Sequence, residues 1–461
     1  MKARILQTLS DLRTYALQKG GEVTLYYHEE DSALMRFANS AISLNTNEHL
    51  IRLEITAYAG QKRASYELIT DLSQLDEMKQ GLDIAMEMVQ HAQPLSYPPT
   101  IPVFAESFAD ESASDAALAA LTNEEKLQYF NRAAAGLETD ELKLSGIFSC
   151  GVNTVAQINT RSPHTQYFQT TDAQVTAVLA HSRLKWEVTA EQSAQKKSDL
   201  DPAVVWRELA FLVDCYQHNA PQQLALGNYD IVFGATAIAQ MLSFMNWIGF
   251  SGGMMKRGFS FLKEDNLGQQ VFSDQFNLCD DPTRIETFPF KRDFSGLRRA
   301  PFTLFAQGVF AQFTWSQDDA DEFQTAPTGH SVAHKSLVLA NGDQPAASLE
   351  ELVALPRDRD ILYIPFLHYM NIVNPSKAII TGSSRFGALL LKQDGSVVVP
   401  YNVRITQSLL DIFGAKLAWL SSSATVHNAS SSYGARNPTA LIVPAFMRVN
   451  NLEISHSNAS Y

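Results

Sequence analysis

The chain has 461 residues, of which 45% are hydrophobic and 18% charged, a composition that excludes a disordered or fibrous protein and supplies a large apolar core. Its length makes two or three domains the expectation. A net charge of −13, from 36 Lys and Arg against 49 Asp and Glu, repels phosphate and argues against direct binding to nucleic acid or an anionic membrane face.

In chain order, the N-terminus places Leu6, Leu9, Leu12 and Ala16 on one helical face. Lys2, Arg4, Asp11 and Arg13 interrupt any apolar signal core, so a cytoplasmic location is expected. Three scattered cysteines, Cys150, Cys215 and Cys279, lack CxxC spacing and suit a reducing compartment. Residues 50–56 alternate apolar and polar with the period of a half-buried strand, and Gly60 marks a turn. A helix is expected next, opened by Ser73 and Asp76 in capping-box spacing and carrying Leu75, Met78, Leu82, Ala85, Met86 and Val89 on one side. Residues 1–93 thus read as an N-terminal α/β domain.

Pro94, Pro98, Pro99 and Pro102, followed by an acidic Ser/Ala-rich run, give residues 94–117 a linker composition. A central domain over 118–226 is expected to begin with a helix at 124–137. Strands follow near 152–158, 175–179 and 184–188, and a helix at 203–216 closes it. Residues 227–461 read as a β-rich domain with strands at 302–313, 361–366, 378–381 and 440–449. Asp394-Gly395 turns a hairpin between Leu389–Leu391 and Val397–Val399. The fold class is α+β, with N-terminal and central α/β units and a β-rich C-terminal domain.

The run from Ile231 to Met255 carries no charge and is long enough to span a bilayer. Gln240, Asn246 and glycines at 234, 249, 252 and 253 favour a buried core helix followed by a Gly-rich turn. The run contains no His, Cys, Asp or Glu, hence no metal donor of those types.

Other candidate chemistry is sparse. His330 and His334 form an HxxxH pair without the Glu of HExxH, and read as two surface histidines. His28-Glu29-Glu30-Asp31 reads as the cap of a hairpin, and Asp318, Asp319, Asp321 and Glu322 as a solvated turn rather than a calcium loop. Asp280-Asp281, Lys291-Arg292 and Arg298-Arg299 read as solvated surface. Gly249-Phe250-Ser251-Gly252-Gly253 matches GxSxG, but a nucleophile elbow needs a strand before Ser251, and an apolar helical run stands there. No Walker loop or GxGxxG occurs.

Several segments together resemble the TldD/PmbA family, also called "modulator of DNA gyrase". Arg36-Phe37-Ala38-Asn39-Ser40-Ala41-Ile42 resembles its RxANS-type segment, and Gly227–Phe233 the opening of its C-terminal domain. Gly308-Val309-Phe310, Thr328-Gly329, Asn374, Thr381-Gly382 and Asp394-Gly395 follow in the family's order. The resemblance covers nearly the whole chain and implies a TldD/PmbA-like fold. In the TldD-type subunit an HExxxH helix binds a metal with a distant cysteine. With Gly234 and Gly249 as anchors, Ser243, Phe244 and Ile248 stand at the His, Glu and His positions, and 424–427 at the cysteine.

The resemblance therefore implies a PmbA/TldE-type subunit with no catalytic residue, metal or cofactor of its own. It would pair with a TldD-type metallopeptidase in a hollow heterodimer that degrades or processes unstructured peptides, with Asn374, Thr381, Gly382 and Ser383 lining a peptide cleft. Ser383, Ser384 and Arg385 depart from the family's usual residues. The alternatives are a homodimeric peptide-binding protein without a catalytic partner, and a stand-alone hydrolase using Ser251 or the His330/His334 pair.

Overall fold

A computed structural model of the chain describes residues 1–330, 335–430 and 436–458. The first half contains α1 (Lys2–Gln18), β1 (Glu22–Ala38), β2 (Ala41–Ala59), β3 (Lys62–Thr70), α2 (Leu75–His91), β4 (Phe108–Ala113), α3 (Ala116–Ala119), α4 (Asn123–Ala133), β5 (Leu142–Asn159), β6 (Ser162–His181), β7 (Glu187–Ala194) and α5 (Pro202–His218). The second half begins with β8 (Gly227–Gly234), α6 (Ala235–Gly249), α7 (Gly252–Lys256), β9 (Leu278–Asp280), β10 (Phe302–Ala306), β11 (Val309–Phe310) and α8 (Gln317–Phe323). It continues with β12 (Leu337–Leu339), α9 (Leu349–Ala354), β13 (Ile361–Ile364), β14 (Phe366–Asn374), β15 (Ile379–Arg385), β16 (Leu389–Leu391), β17 (Val397–Val398) and β18 (Asn402–Ser408). Last come α10 (Leu409–Ile412), β19 (Leu417–Leu420), β20 (Ala424–Asn428), β21 (Ala440–Pro444) and β22 (Phe446–Asn458).

The first sheet runs β3-β2-β1-β5-β6-β4, with β7 also on β6. The long antiparallel pairing of β1 with β5, from Thr24↔Asn159 to Phe37↔Gly146, joins strands on both sides of the proline-rich segment. At the tip of the β1–β2 hairpin, Asn39 and Ser40 both have positive φ, 51° and 61°, the geometry of the primed turns that match strand twist. The alternation of β2 buries Ile51, Leu53, Ile55 and Ala57 against Ile5, Leu9, Leu12 and Ala16 of α1 and Met78, Leu82 and Ala85 of α2.

The second half holds a six-stranded sheet, β11-β10-β9-β12-β21-β20, and a nine-stranded one, β14-β15-β18-β22-β8-β13-β16-β17 with β19 on β22. Helix α6 is the apolar centre of this half. Its Ile238, Met241, Leu242 and Met245 are fully buried, in one cluster with Phe272, Phe276, Phe305 and Phe413. No helix among the described residues is long and apolar enough to cross a membrane.

Several expectations change. Within the proline-rich, acidic segment, β4 pairs in parallel with β6, so part of that stretch is sheet. Helix α2 starts at Leu75 without a side-chain cap, because the amide and hydroxyl of Ser73 both donate to Asp71. Residues His28 to Asp31 lie inside β1 rather than at a hairpin end. There Glu30 is buried and paired with Arg52, and it accepts the backbone N–H of Arg436. Asp318, Asp319 and Glu322 lie on α8 and pair with Arg63 and Arg257.

The basic pairs are also engaged, with Lys291 on Asp110 and Arg292 on Glu106. Asp280 and Arg299 form a fully enclosed ion pair at 2.8 Å. His330, buried and stacked on Phe302, contacts the same carboxylate through Nδ1. It is therefore no surface histidine, and its intended partner His334 lies outside the described residues.

Candidate functional site

Strand β8 passes directly into α6 at Gly234. A Cβ there would stand 3.0 Å from the Tyr363 hydroxyl and 3.1 Å from Pro365, so a larger residue would have to push these neighbours back by a few tenths of an ångström. Along α6, Ser243 is exposed and returns its hydroxyl to Ala239 O at 2.9 Å. Phe244 is half-buried with its ring against Trp247, and Ile248 is buried in the core. Below the helix, the buried Lys335 donates to Asn246 at 2.8 Å, and burial pushes its pKa down to about 7. Among the described residues no three His, Cys, Asp or Glu side chains gather around one point.

The N-terminus of α6 opens into a cavity of about 710 Å³ between β7, α5, α9 and β20. Its charged wall is mostly acidic: Glu191, Glu208, Glu350 and Glu351, with Arg207 and His427. Glu191 accepts the Thr236 hydroxyl at 2.8 Å and lies 3.9 Å from His427 Nδ1. Burial, reinforced by the charge of Glu191, pushes the Glu208 carboxyl up to about 7. Burial lowers the pKa of His427 while Glu191 opposes that shift. The arrangement can hold a proton near neutrality and attract a cation. Sequence reasoning passed over this cluster, although Glu208 interrupts the apolar stripe Val205, Leu209, Leu212 of α5.

A second cavity, of about 810 Å³, lies toward the opposite end of β7. Lys143, Lys185, Arg385 and Arg404 line it, together with His368, Tyr369, Trp186 and Glu187. Of the expected cleft residues, Ser383 lies on this wall. Thr381 donates to Ile405 O and accepts from Arg404 beside it. Gly382 packs beneath Met370 and Leu367, and Asn374 caps the turn at Lys377. The four are thus dispersed along β14 and β15 rather than gathered at one point.

Ser251 is buried and follows α6 rather than a strand. It caps α7 through Met254 N and stands 3.5 Å from Asp319. The strand–serine–helix turn of a nucleophile elbow is absent there.

The family model described as the PmbA/TldA metallopeptidase C-terminal domain matches residues 226–456. The chain belongs to the TldD/PmbA family. Its fold is the family's α+β fold, as solved structures show. TldE from Thermococcus kodakarensis superposes with a TM-score of 0.80 at 15% identity, over 97% of this chain and 100% of that one. A protein described as a modulator of DNA gyrase from Bacteroides thetaiotaomicron gives 0.77 at 16%, over 97% and 98%. Another so described, from Thermotoga maritima, gives 0.73 at 15%, over 97% and 99%. No protein of curated function matches the chain significantly by sequence.

Proposed function

We propose that this TldD/PmbA-family chain is the metal-free, non-catalytic subunit of a peptidase complex that degrades or processes unstructured peptides. Its partner in this reading is a TldD-type metallopeptidase subunit. The observation that carries the reading is the character of α6. A hydroxyl bonded to its own helix, an aromatic ring and a buried alkyl chain stand where two imidazoles and a carboxylate would be needed. No HExxxH occurs anywhere in the sequence.

The subunit's part is then to hold peptide. Strand β14 ends the nine-stranded sheet, and one of its edges is unpaired among the described residues. An extended peptide can add to such an edge through main-chain hydrogen bonds. Tyr369 and Val373 are exposed along the same strand.

The test is metal analysis and a peptidase assay on the purified chain, alone and mixed with a TldD-type subunit. The expected result is substoichiometric zinc and no turnover alone, with a stable complex and peptide cleavage in the mixture. Stoichiometric zinc, clear activity alone, or a homodimer that binds peptide and ignores the TldD-type subunit would each overturn the reading.

A further inference from the structure

We infer that the basic cavity beside β14 is a recognition site for the carboxylates of an acidic unstructured peptide; this rests on the peptide-holding role proposed above and names the substrate's charge. The chain carries net charge −13, so an excess of cations at one place runs against its overall composition. Lys143 of β5, Lys185 before β7 and Arg404 of β18 come from three separate elements to one cavity of about 810 Å³. None of the three has a carboxylate within ion-pair distance among the described residues. The one carboxylate in the wall, Glu187, is already held by Arg385 at 3.1 Å.

Trp186 also borders the cavity. The ring is 3% exposed, forms part of the wall, and its indole N–H has no acceptor. An anion in the cavity meets the unpaired cations. The Arg404 guanidinium keeps donors beyond the one given to Thr381 at 3.1 Å, and a guanidinium fork matches a carboxylate. Burial and the neighbouring Arg385 charge also lower the pKa of His368, consistent with a positive interior.

A carboxylate fits better than a polyphosphate chain. The cavity's volume is that of a small-ligand pocket, whereas a nucleic acid needs a long basic track and is repelled by the molecule as a whole. Tyr369, exposed on β14, lies in the wall. A peptide added along that edge therefore has acidic side chains or its C-terminus within reach of the cations.

The test uses the full chain and two labelled unstructured peptides. One has glutamates and a free C-terminus; the other has glutamines and a C-terminal amide. Fluorescence anisotropy is expected to show the acidic peptide bound at least about tenfold more tightly. Lys185→Gln with Arg404→Gln is expected to remove that preference and leave the amide peptide's weak binding unchanged. Lys143→Gln serves as an independent variant should the double variant fold poorly. By NMR, the acidic peptide is expected to raise the pKa of His368 and the amide peptide to leave it. Equal binding of both peptides would overturn the carboxylate site while leaving the peptide-holding role standing. Binding of neither would overturn both. A single-stranded oligonucleotide bound more tightly than the acidic peptide would overturn the assignment in favour of a nucleic-acid site.

Discussion

The two large cavities share β7 and carry opposite charge. At Thr189 to Ser193 the wall is acidic, with Glu191, Glu208, Glu350 and Glu351 facing one arginine. At Glu187 it is basic, with Lys143, Lys185 and Arg404 facing one carboxylate that Arg385 already neutralises. Both accumulate like charge, but they relieve it differently. A carboxyl can take up a proton near neutrality, as Glu208 does with its pKa near 7. The cations of the basic cavity have no carboxylate of their own, so an anion from outside is what would balance them. One cavity can thus take up a proton, whereas the other is left with unpaired cations.

The largest effect expected from this contrast is on stability at Glu208. The folded-state pKa of about 7 exceeds the ordinary value of 4.5, so between these values the folded chain binds more protons than the unfolded one. The protonated carboxyl's contribution is therefore complete below 4.5 and is lost as pH rises through 7. Glu208→Gln removes the ionisation and should stabilise the protein at pH 8 by roughly 1–3 kcal/mol, with no gain at pH 4. Urea unfolding at the two pH values checks this; an equal change at both would show that Glu208 does not titrate as a buried acid.

A smaller effect separates two neighbouring side chains, both of which border the basic cavity. Tyr216, packed against Trp186, donates its buried hydroxyl to Ala388 O at 2.8 Å. Tyr216→Phe leaves that carbonyl without its donor and should cost about 1–2 kcal/mol. Trp186 makes no hydrogen bond through its N–H. Replacing it by 3-benzothienylalanine, which puts sulfur in place of the N–H and adds no methyl, should cost less than about 1 kcal/mol in the absence of ligand. Thermal unfolding of the two variants decides it: a Trp186 loss as large as that of Tyr216→Phe would mean the N–H is satisfied in solution, and the argument for an orphan donor would fall.

What the sequence made legible was periodicity and what it hid was long-range pairing. The alternation of residues 50–56 is a local pattern and became strand β2. The uncharged run gave the buried helix α6, although its first residues belong to β8 and Gly252-Gly253 open α7 instead of forming a turn. Charged clusters were misread because their partners are remote. Asp280 meets Arg299 and His330, Glu30 meets Arg52 and Arg436, and Lys291 meets Asp110. A local reading assigns such residues to solvent, since charged side chains are seldom buried unless paired. The strand β4 was hidden for a related reason: it lies at a sheet end and is largely exposed, so its composition is that of a surface loop. Of the two cavities, only the acidic one left a readable trace, Glu208 on an apolar helical stripe. The basic cavity draws one cation from each of several elements, and no segment of the sequence carries its signature.

The smallest expected effect is also the most local test of the basic cavity's field. His368 sits below its ordinary pKa because burial disfavours the imidazolium and because Arg385 adds a like charge, while Glu187 pulls in the opposite direction. Arg385→Gln removes one of the two lowering influences and frees Glu187, so both changes raise the His368 pKa. Burial remains and keeps the shift incomplete. An NMR titration of His368 in the variant should move upward, whereas Lys392→Gln, whose ammonium pairs with Asp360 elsewhere, should leave it in place. A His368 titration unchanged by Arg385→Gln would mean that solvent already screens the arginine, and a cavity so well screened would also hold a carboxylate only weakly.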